Sequence, residues 1–532
     1  MKKTLKFLSN LIGFTGLWTA LPIYFLSKYQ IFPVTTKLAF YVIVALVGWI
    51  LLNNLWSIAC EGKKFSEFQV GDGLIPDTGL KKDSPQKRAA TYPKIPGELL
   101  SKNPEGIILG CDKSQYVRIK NQILHSCIVG GSGSGKTSTV ILDTLLANYS
   151  APEPEMLTFC IDIKGELHEK ATKKDDPAIY VVDPSDRRTT GWDAWYRLHG
   201  NPTDDLIVES MEEIAEALIV STNPKDMFFV VNARSMFTGL LVYYFKKGES
   251  FIDAVNHILE ADAKTLIAEI IEESVKSDLW YQYLAKFAGK KAESVEDCMV
   301  EMTTNLSVFS KSDVKFCFRD NAVKASPSAF KENKSIFLAI SEHLLGSYQA
   351  IMRLCTAQVL QDLQRRPDAD AAAKPILVLI DEFARLGRVE TIFNALATLR
   401  SKKTMVMLAF QSMAQMEVIY SKEEARVIAD NCRVKVICEC SDPSTAKDIS
   451  AWCGNYQNKK ETLNGGKNRS KSYTYEEKPI VEQGDLITLV KKEEVIFIIS
   501  GIGYLRSKKC YYFKDRKISS LAEQVREFNQ RR

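Results

Sequence analysis

A chain of 532 residues is long enough for two or three domains with a large apolar core. Its formal net charge of +5 is small, but positive and negative side chains are unevenly distributed along the sequence. The twelve cysteines include no C-x-x-C pair, so neither a zinc site nor a disulfide framework is indicated. This cysteine usage suits a reducing cytosol.

The N-terminal part contains two apolar stretches, residues 7–26 and 38–56. Each has roughly 20 residues, which is enough to cross a bilayer as a helix. Basic residues precede the first stretch and follow the second, whereas the connecting segment 27–37 carries only two lysines. The positive-inside rule therefore predicts a two-pass transmembrane hairpin over residues 1–60 in the cell membrane, with both termini cytoplasmic. Two buried core helices are the alternative. The polar segment 61–105, with several Gly and Pro residues, is predicted to be a linker.

Residues 130–137 read Gly-Gly-Ser-Gly-Ser-Gly-Lys-Thr and satisfy the P-loop pattern G-x-x-x-x-G-K-[ST]. The apolar run 126–129 predicts a strand before the loop, and residues 138–148 predict a helix after it. Glycines let several backbone N–H groups point at one phosphate, and the helix N-terminus adds a positive dipole. Lys136 is expected to reach the β- and γ-phosphates, and the Thr137 hydroxyl is expected to complete a Mg²⁺ shell. A chance match in a Gly/Ser-rich turn is the alternative. The predicted nucleotide-binding residues are Gly130, Gly131, Ser132, Gly133, Ser134, Gly135, Lys136, Thr137 and Ser138.

Two further strands are predicted at residues 157–161 and 179–182, and each is followed by a carboxylate, Asp162 or Asp183. The segment 162–166 between them, Asp-Ile-Lys-Gly-Glu, indicates by itself no more than a polar turn from strand to helix. With the P-loop, these strands define the first part of an ATPase domain over residues 106–200.

Residues 201–325 are predicted to form an all-α domain inserted into the ATPase domain. The segment 201–301 has a helical pattern and contains 19 Asp and Glu against 9 Lys and Arg. An acidic surface of this kind suits a basic partner or a basic protein substrate. The alternative is that the acidic residues only keep the domain soluble.

The second part of the ATPase domain is predicted over residues 326–532. The apolar run 376–380 is typical of a strand buried on both faces, and it ends in Asp381 and Glu382. Asp381 is placed to hold the Mg²⁺ shell, and Glu382 to polarise the attacking water as a general base. Paired with a P-loop in one chain, these carboxylates make ATP hydrolysis the working hypothesis.

Alternating strands and helices continue through the second part, with strands predicted at 336–340, 405–410, 434–439 and 495–499. This alternation predicts an α/β fold with a doubly wound, mostly parallel sheet that binds nucleotide at the strand C-termini. The segment 457–478 is predicted to be a basic loop, which either tracks a nucleic-acid backbone with Tyr473 and Tyr475 or is simply solvated. A short basic helix is predicted over the last residues, 522–532.

The order of these motifs resembles the type IV secretion coupling proteins, the TraG/TraD-like conjugative DNA transfer ATPases. The order comprises two N-terminal spans, the P-loop, the Asp-x-Lys-Gly-Glu turn, the acidic insertion, and two motifs of the second half. Those two motifs are Asp-Glu-Phe-Ala-Arg-Leu-Gly at 381–387 and Ala-Phe-Gln-Ser at 409–412. The resemblance covers nearly the whole chain.

The resemblance implies a RecA-like P-loop NTPase that uses ATP and Mg²⁺ and assembles as a homo-hexamer at the inner face of the bacterial cell membrane. It implies as partners the components of a type IV secretion channel, single-stranded DNA with its relaxase complex, or effector proteins. It also implies that Gln411 is the γ-phosphate sensor and that Arg400 is the arginine finger offered to the neighbouring subunit. Many family members have a larger segment between the two spans than residues 27–37, so docking on the channel is left open.

Two alternatives to a substrate-pumping ATPase remain at this point. One is an FtsK-like translocase for double-stranded DNA, although such proteins usually carry a C-terminal winged-helix domain and nothing after Phe513 is long enough. The other is a membrane receptor or scaffold that binds ATP without pumping, which would have no need for Glu382. The sequence leaves open whether the cargo is DNA, protein or both.

Overall fold

The structure, a computed structural model, describes residues 85–120, 122–220, 227–290, 292–368, 373–464 and 470–531. The predicted transmembrane hairpin over residues 1–60 lies outside the described residues. Within the predicted linker 61–105, helix Pro85–Thr91 and a short strand, Leu100–Ser101, are already part of the folded unit.

A twelve-stranded sheet forms the centre of the described chain, in the order β1-β3-β2-β16-β15-β12-β4-β11-β10-β5-β9-β6. The strands from β12 to β6 pair in parallel, whereas β15, β16, β2, β3 and β1 continue the sheet in antiparallel pairs. The central parallel strands are apolar at nearly every position because both of their faces are covered. The strands are β1 (Leu100–Ser101), β2 (Ile107–Asp112), β3 (Gln115–Ile119), β4 (Ser126–Val129), β5 (Leu157–Asp162), β6 (Ile179–Val182), β7 (Gly191–Trp192), β8 (Lys324–Ala325), β9 (Ser335–Ala339), β10 (Ile376–Ile380), β11 (Thr404–Phe410), β12 (Val434–Ile437), β13 (Asn455–Asn464), β14 (Ser470–Pro479), β15 (Glu494–Ile499) and β16 (Gly503–Lys508).

Helices cover both faces of this sheet and form two separate apolar cores. One core takes Ile161 and Ile380 from the sheet and joins them to the helices that lie between β7 and β8. The other contains Cys160 and Leu379, which precede Ile161 and Ile380 in the same strands and therefore face the opposite side of the sheet. It joins them to the helix after the P-loop and to the C-terminal helix. The predicted mostly parallel α/β sheet with helices on both faces is therefore confirmed. The α-helices of the described residues are Pro85–Thr91, Leu142–Tyr149, Glu166–Ala171, Asp204–Leu218, Met227–Lys246, Phe251–Glu260, Ala263–Glu273, Tyr281–Ala288, Ala292–Leu306, Ser312–Lys315, Leu345–Gln364, Ile392–Thr398, Met413–Ile419, Lys422–Asn431, Pro443–Cys453, Gln483–Ile487 and Arg516–Gln530.

Between β7 and β8, every regular element of the described residues is helical. The two strands pair in parallel with Gly191 opposite Lys324, so the two ends of the helical segment lie next to each other. The helices pack around Met227–Lys246, whose Phe237 and Leu241 are fully buried. Within the described residues, this helix alone is long and apolar enough to cross a membrane, and 56% of its most apolar window is buried inside the fold. Such burial is typical of the core helix of a folded domain.

Two elements differ from the sequence-based expectation. The predicted basic loop 457–478 contains the antiparallel ribbon β13–β14, because Tyr and Thr residues favour extended backbone and the Lys459 ammonium lies 3.7 Å from the centre of the Tyr473 ring. The terminal helix begins earlier than predicted, at Arg516, because the Asp515 carboxylate accepts hydrogen bonds from the backbone N–H groups of residues 517 and 518 and caps it.

Candidate nucleotide-binding and hydrolysis site

The P-loop connects β4 to a helix that runs from Thr137 to Tyr149, with a wide π-type first turn over Thr137–Ile141. At its start the backbone N–H of Gly130 donates to the Phe410 carbonyl of β11 at 3.2 Å. The loop then turns back through Gly133 and Gly135, whose φ angles are +75° and +96°. Residues other than glycine rarely adopt such backbone angles, so these two glycines allow the loop to turn back tightly.

Lys136 is buried over its own loop. Its Nζ atom donates to the Gly130 carbonyl at 2.5 Å and lies 3.4 Å from the Gly131 carbonyl. The ammonium charge is thus held at the concave side of the loop, where the backbone N–H groups of a P-loop gather a phosphate. Ser132 and Gly133 form the exposed tip, whereas Ser134 is buried beneath it.

The acidic side of the site comes from β10. Thr137 donates from its hydroxyl to Asp381 Oδ1 at 3.2 Å, which brings the two predicted Mg²⁺-binding side chains together. Burial, together with the neighbouring charge of Asp162, raises the pKa of Asp381 to about 6. Hard oxygen donors of this kind suit Mg²⁺, which typically binds one or two carboxylates, a hydroxyl, waters and substrate phosphates. The residues present therefore fit the ion that the sequence predicts.

Glu382 follows Asp381 and faces the interior of the site. Its Oε2 atom lies 3.5 Å from Gln411 Nε2, and its Oε1 atom is buried without a hydrogen-bond partner among the described residues. Burial raises the pKa of Glu382, while the nearby Lys136 charge counteracts part of that rise. A carboxylate with one free, buried oxygen has the chemistry of a general base that awaits a water molecule.

The sheet order explains why Gln411 meets Glu382. Strand β11 lies between the P-loop strand β4 and the acidic strand β10, and Gln411 follows its last residue. The side chain therefore stands between the phosphate-binding loop and the carboxylates. Lys136, Thr137, Asp381, Glu382 and Gln411, which are predicted from separate motifs, all lie at this one edge of the sheet.

Arg400 lies elsewhere. It is exposed and precedes the first residue of β11, Thr404, so it stands at the N-terminal edge of the sheet while the P-loop stands at the C-terminal edge. The length of β11 separates the two by roughly 20 Å at about 3.3 Å per residue. Burial, together with the nearby charge of Arg400, lowers the pKa of His125 to about 4. Arg400 is therefore outside the site of its own chain.

Two residues near the P-loop were not predicted. Lys509 is buried and donates from Nζ to the Ser134 carbonyl at 2.7 Å, and Glu439 Oε2 accepts from the Gly131 N–H at 3.0 Å. Both residues are more than 300 positions away from the loop in the sequence. Only the pairing of β12 beside β4, and of β15 and β16 beyond it, brings them there, so no local pattern could have indicated them.

The residues after the acidic pair stabilise its position. The buried Phe383 ring stacks on Tyr420 with a centroid separation of 5.6 Å and an interplanar angle of 15°. The Tyr420 hydroxyl accepts from the Val389 N–H at 3.0 Å. Gly387 has a φ of +70°, and a Cβ atom there would lie 2.9 Å from the Gln349 side chain. The Phe-x-x-x-Gly spacing of the motif is thus explained by the packing of the Phe383 ring and by the positive φ that the backbone requires at Gly387.

Comparisons with known proteins identify the family of this chain. A family model described as type IV secretory system conjugative DNA transfer matches residues 81–532. The chain belongs to this family. The resemblance inferred from the motif order is therefore confirmed.

Two relatives are similar to this chain over about three quarters of its length. Protein VirD4 of Agrobacterium fabrum is 25% identical over 425 residues, which cover 75% of this chain and 60% of VirD4. Conjugal transfer protein TraG of Rhizobium radiobacter is 23% identical over 416 residues, which cover 74% of this chain and 63% of TraG. The chain thus spans less than two thirds of the length of these relatives.

Among solved structures, the bacterial conjugative coupling protein TrwBdeltaN70 matches with a TM-score of 0.62 at 14% identity, over 77% of this chain and 89% of that one. Plasmid coupling protein TrwB in complex with the ATP analogue ADPNP matches with a TM-score of 0.61 at 15% identity, over 80% and 91% of the two chains. TrwB in complex with ADP and Mg²⁺ matches with a TM-score of 0.56 at 15% identity, over the same shares. At these identities the likeness shows a common fold, which fits the predicted RecA-like NTPase.

Proposed function

We propose that this chain is a membrane-anchored, hexameric coupling ATPase that recruits substrate and pumps it into a type IV secretion or conjugation channel. The observation that carries the proposal is the single cluster of Lys136, Thr137, Asp381, Glu382 and Gln411 in a chain of the conjugative DNA transfer family. ATP and Mg²⁺ are its cofactors, in keeping with the TrwB complexes with ADPNP and with ADP and Mg²⁺.

Each residue of the cluster has a role that follows from its position. Lys136 and the loop N–H groups neutralise the β- and γ-phosphates, and Thr137 and Asp381 hold Mg²⁺, which supplies positive charge beside them. Glu382 takes a proton from the attacking water, and the Gln411 amide keeps the carboxylate and the water in line. Arg400 completes the site of the neighbouring subunit, since it is exposed and too far from its own.

The substrate is a DNA–relaxase complex, effector proteins, or both. The acidic helical region between β7 and β8 is the proposed receptor for a basic protein partner. The ribbon β13–β14 is the proposed contact for single-stranded DNA, because Tyr473 and Tyr475 are 47% and 61% exposed beside Lys459 and offer aromatic faces on which bases stack. The N-terminal hairpin holds the ATPase at the inner face of the cell membrane.

A receptor that binds ATP without hydrolysis is the other candidate. The free, buried Oε1 atom of Glu382 disfavours it, because a protein that only binds ATP gains nothing from a desolvated carboxylate beside the γ-phosphate.

The proposal is tested by substrate transfer between cells that carry variants of this chain at native levels. Lys136→Ala and Glu382→Gln should each abolish transfer, whereas the exposed Glu423→Gln should transfer at the parent rate. Photocrosslinking from the exposed face of helix Ala263–Glu273 should capture the relaxase or effector. Normal transfer by Glu382→Gln would contradict the proposal.

A further inference from the structure

Asp162 is the last residue of β5 and lies beside the Mg²⁺-binding carboxylate. Ile161 of β5 pairs with Ile380 of β10, and the Asp381 N–H continues the ladder to the Ile161 carbonyl at 3.4 Å. Residues at equivalent positions of parallel neighbours project to the same face. Asp162 and Asp381 therefore stand side by side on the face covered by the P-loop helix.

Asp162 is fully buried, and its two oxygens have different surroundings. Oδ2 accepts from the Leu167 N–H at 2.9 Å and from the His168 N–H at 3.0 Å, and it lies 3.0 Å from His168 Nδ1. Oδ1 is buried without a hydrogen-bond partner among the described residues. The first oxygen caps the helix that follows the Asp-Ile-Lys-Gly-Glu turn. Helix capping explains the contacts of Oδ2, but it does not explain why Oδ1 is buried without a hydrogen-bond donor among the described residues.

A buried carboxylate oxygen without a donor is costly, and a second carboxylate beside it adds repulsion. Both costs disappear when a divalent cation lies between the two groups. Mg²⁺ in a phosphate-binding site is commonly held by one or two carboxylates together with a hydroxyl, substrate phosphates and waters. Within the described residues, no group of three or more His, Cys, Asp and Glu side chains could hold a metal ion alone, which fits an ion that arrives with nucleotide.

We propose that Asp162 is the second carboxylate of the Mg²⁺–nucleotide site, with its Oδ1 atom directed to the ion or to a water in its shell. His168 is a positioning residue: its ring and backbone N–H fix Oδ2, so that Oδ1 keeps its direction. The Asp-Ile-Lys-Gly-Glu turn is thus part of the site rather than a polar connection. This inference rests on the proposed nucleotide site.

The test separates the contribution of the metal from nucleotide binding itself. The dissociation constant of a fluorescent, non-hydrolysable ATP analogue is measured for the full-length protein in detergent, with Mn²⁺ and with EDTA. The dissociation constant in EDTA divided by that in Mn²⁺ gives the contribution of the metal to nucleotide affinity. In Asp162→Asn the amide oxygen still caps the helix, so the fold is kept and only the charge is lost.

The metal contribution should fall about tenfold in Asp162→Asn, because partners of metal sites are worth about 10–100-fold in affinity. The affinity in EDTA should not fall, since no positive group is lost. His168→Gln should reduce the metal contribution by a smaller factor, and it decides the matter if Asp162→Asn does not fold. Asp143→Asn is the matched control and should leave the ratio unchanged. Asp143 is also fully buried, and its oxygens have no hydrogen-bond partner among the described residues, but it lies further along the P-loop helix, away from Asp381.

An unchanged ratio in Asp162→Asn and His168→Gln, or an equal loss of affinity with Mn²⁺ and EDTA, would overturn the inference and leave Asp162 as a helix cap. Failure of the parent protein to bind the analogue in either condition would instead contradict the proposed function. The two failures are therefore distinguishable.

Discussion

Arg400→Ala should leave the site of its own subunit intact and disable the site of its neighbour. The roughly 20 Å that separates Arg400 from its own P-loop limits its direct effect there to about 0.2 kcal/mol in water, a factor of about 1.4 in binding. An arginine finger placed in trans is worth about 10³–10⁵-fold in rate. Nucleotide affinity of unassembled Arg400→Ala protein should therefore match the parent, while assembled protein should lose nearly all ATPase activity.

Mixed assemblies provide the decisive assay. Arg400→Ala and Lys136→Ala are each expected to be inactive, but together they should recover some ATPase activity, because some interfaces pair an intact P-loop with an intact finger. Lys402→Ala, which removes a neighbouring cation, is the control and should keep the parent rate. Absence of recovery in assemblies of verified stoichiometry, or full activity of Arg400→Ala alone, would refute the reasoning and leave Arg400 as a helix-terminal cation.

Two further outcomes follow from the same account. Lys509→Met should weaken ATP binding by roughly 10–150-fold, because a hydrogen bond from a charged donor to the Ser134 carbonyl is worth about 1.5–3 kcal/mol. Lys508→Met, at the exposed neighbouring residue, is the control and should bind ATP as tightly as the parent. Equal ATP titration curves for the two variants would contradict a role of Lys509 in the loop. For the proposed hairpin, a membrane-impermeant thiol reagent should label a cysteine at Gln30 in spheroplasts but not one at Lys82, and equal labelling of both would exclude two cytoplasmic termini.

The site could be predicted from the sequence wherever its residues follow a local pattern. The P-loop, and the apolar run that ends in Asp381, are each set by a few consecutive residues, because a strand buried on both faces must be apolar throughout. The antiparallel half of the sheet, which contains β15 and β16, is different. Its antiparallel pairing joins residues far apart in the chain, so the contact between Lys509 and the P-loop could not be predicted.

The acidic turn after β5 shows the same limit. Its sequence predicts only a polar turn, since nothing in residues 162–166 indicates which strand lies beside β5. The parallel register with β10 supplies that information and places Asp162 next to Asp381. Similarly, the Lys- and Tyr-rich segment 457–478 has the composition of a loop, yet alternating cross-strand pairs form the ribbon β13–β14.

ATP hydrolysis by purified, assembled Glu382→Gln protein tests the central claim most directly. Loss of the general base should lower the rate by about 10²–10⁴-fold, because the attacking water then keeps its proton. Binding of ATP should be retained, since Lys136, Thr137 and Asp381 remain in place, whereas Lys136→Ala should weaken binding itself. Tight binding with hydrolysis below a hundredth of the parent rate is the predicted result; hydrolysis above a tenth of the parent rate would contradict the assignment of Glu382 and, with it, the account of this site as an ATPase centre.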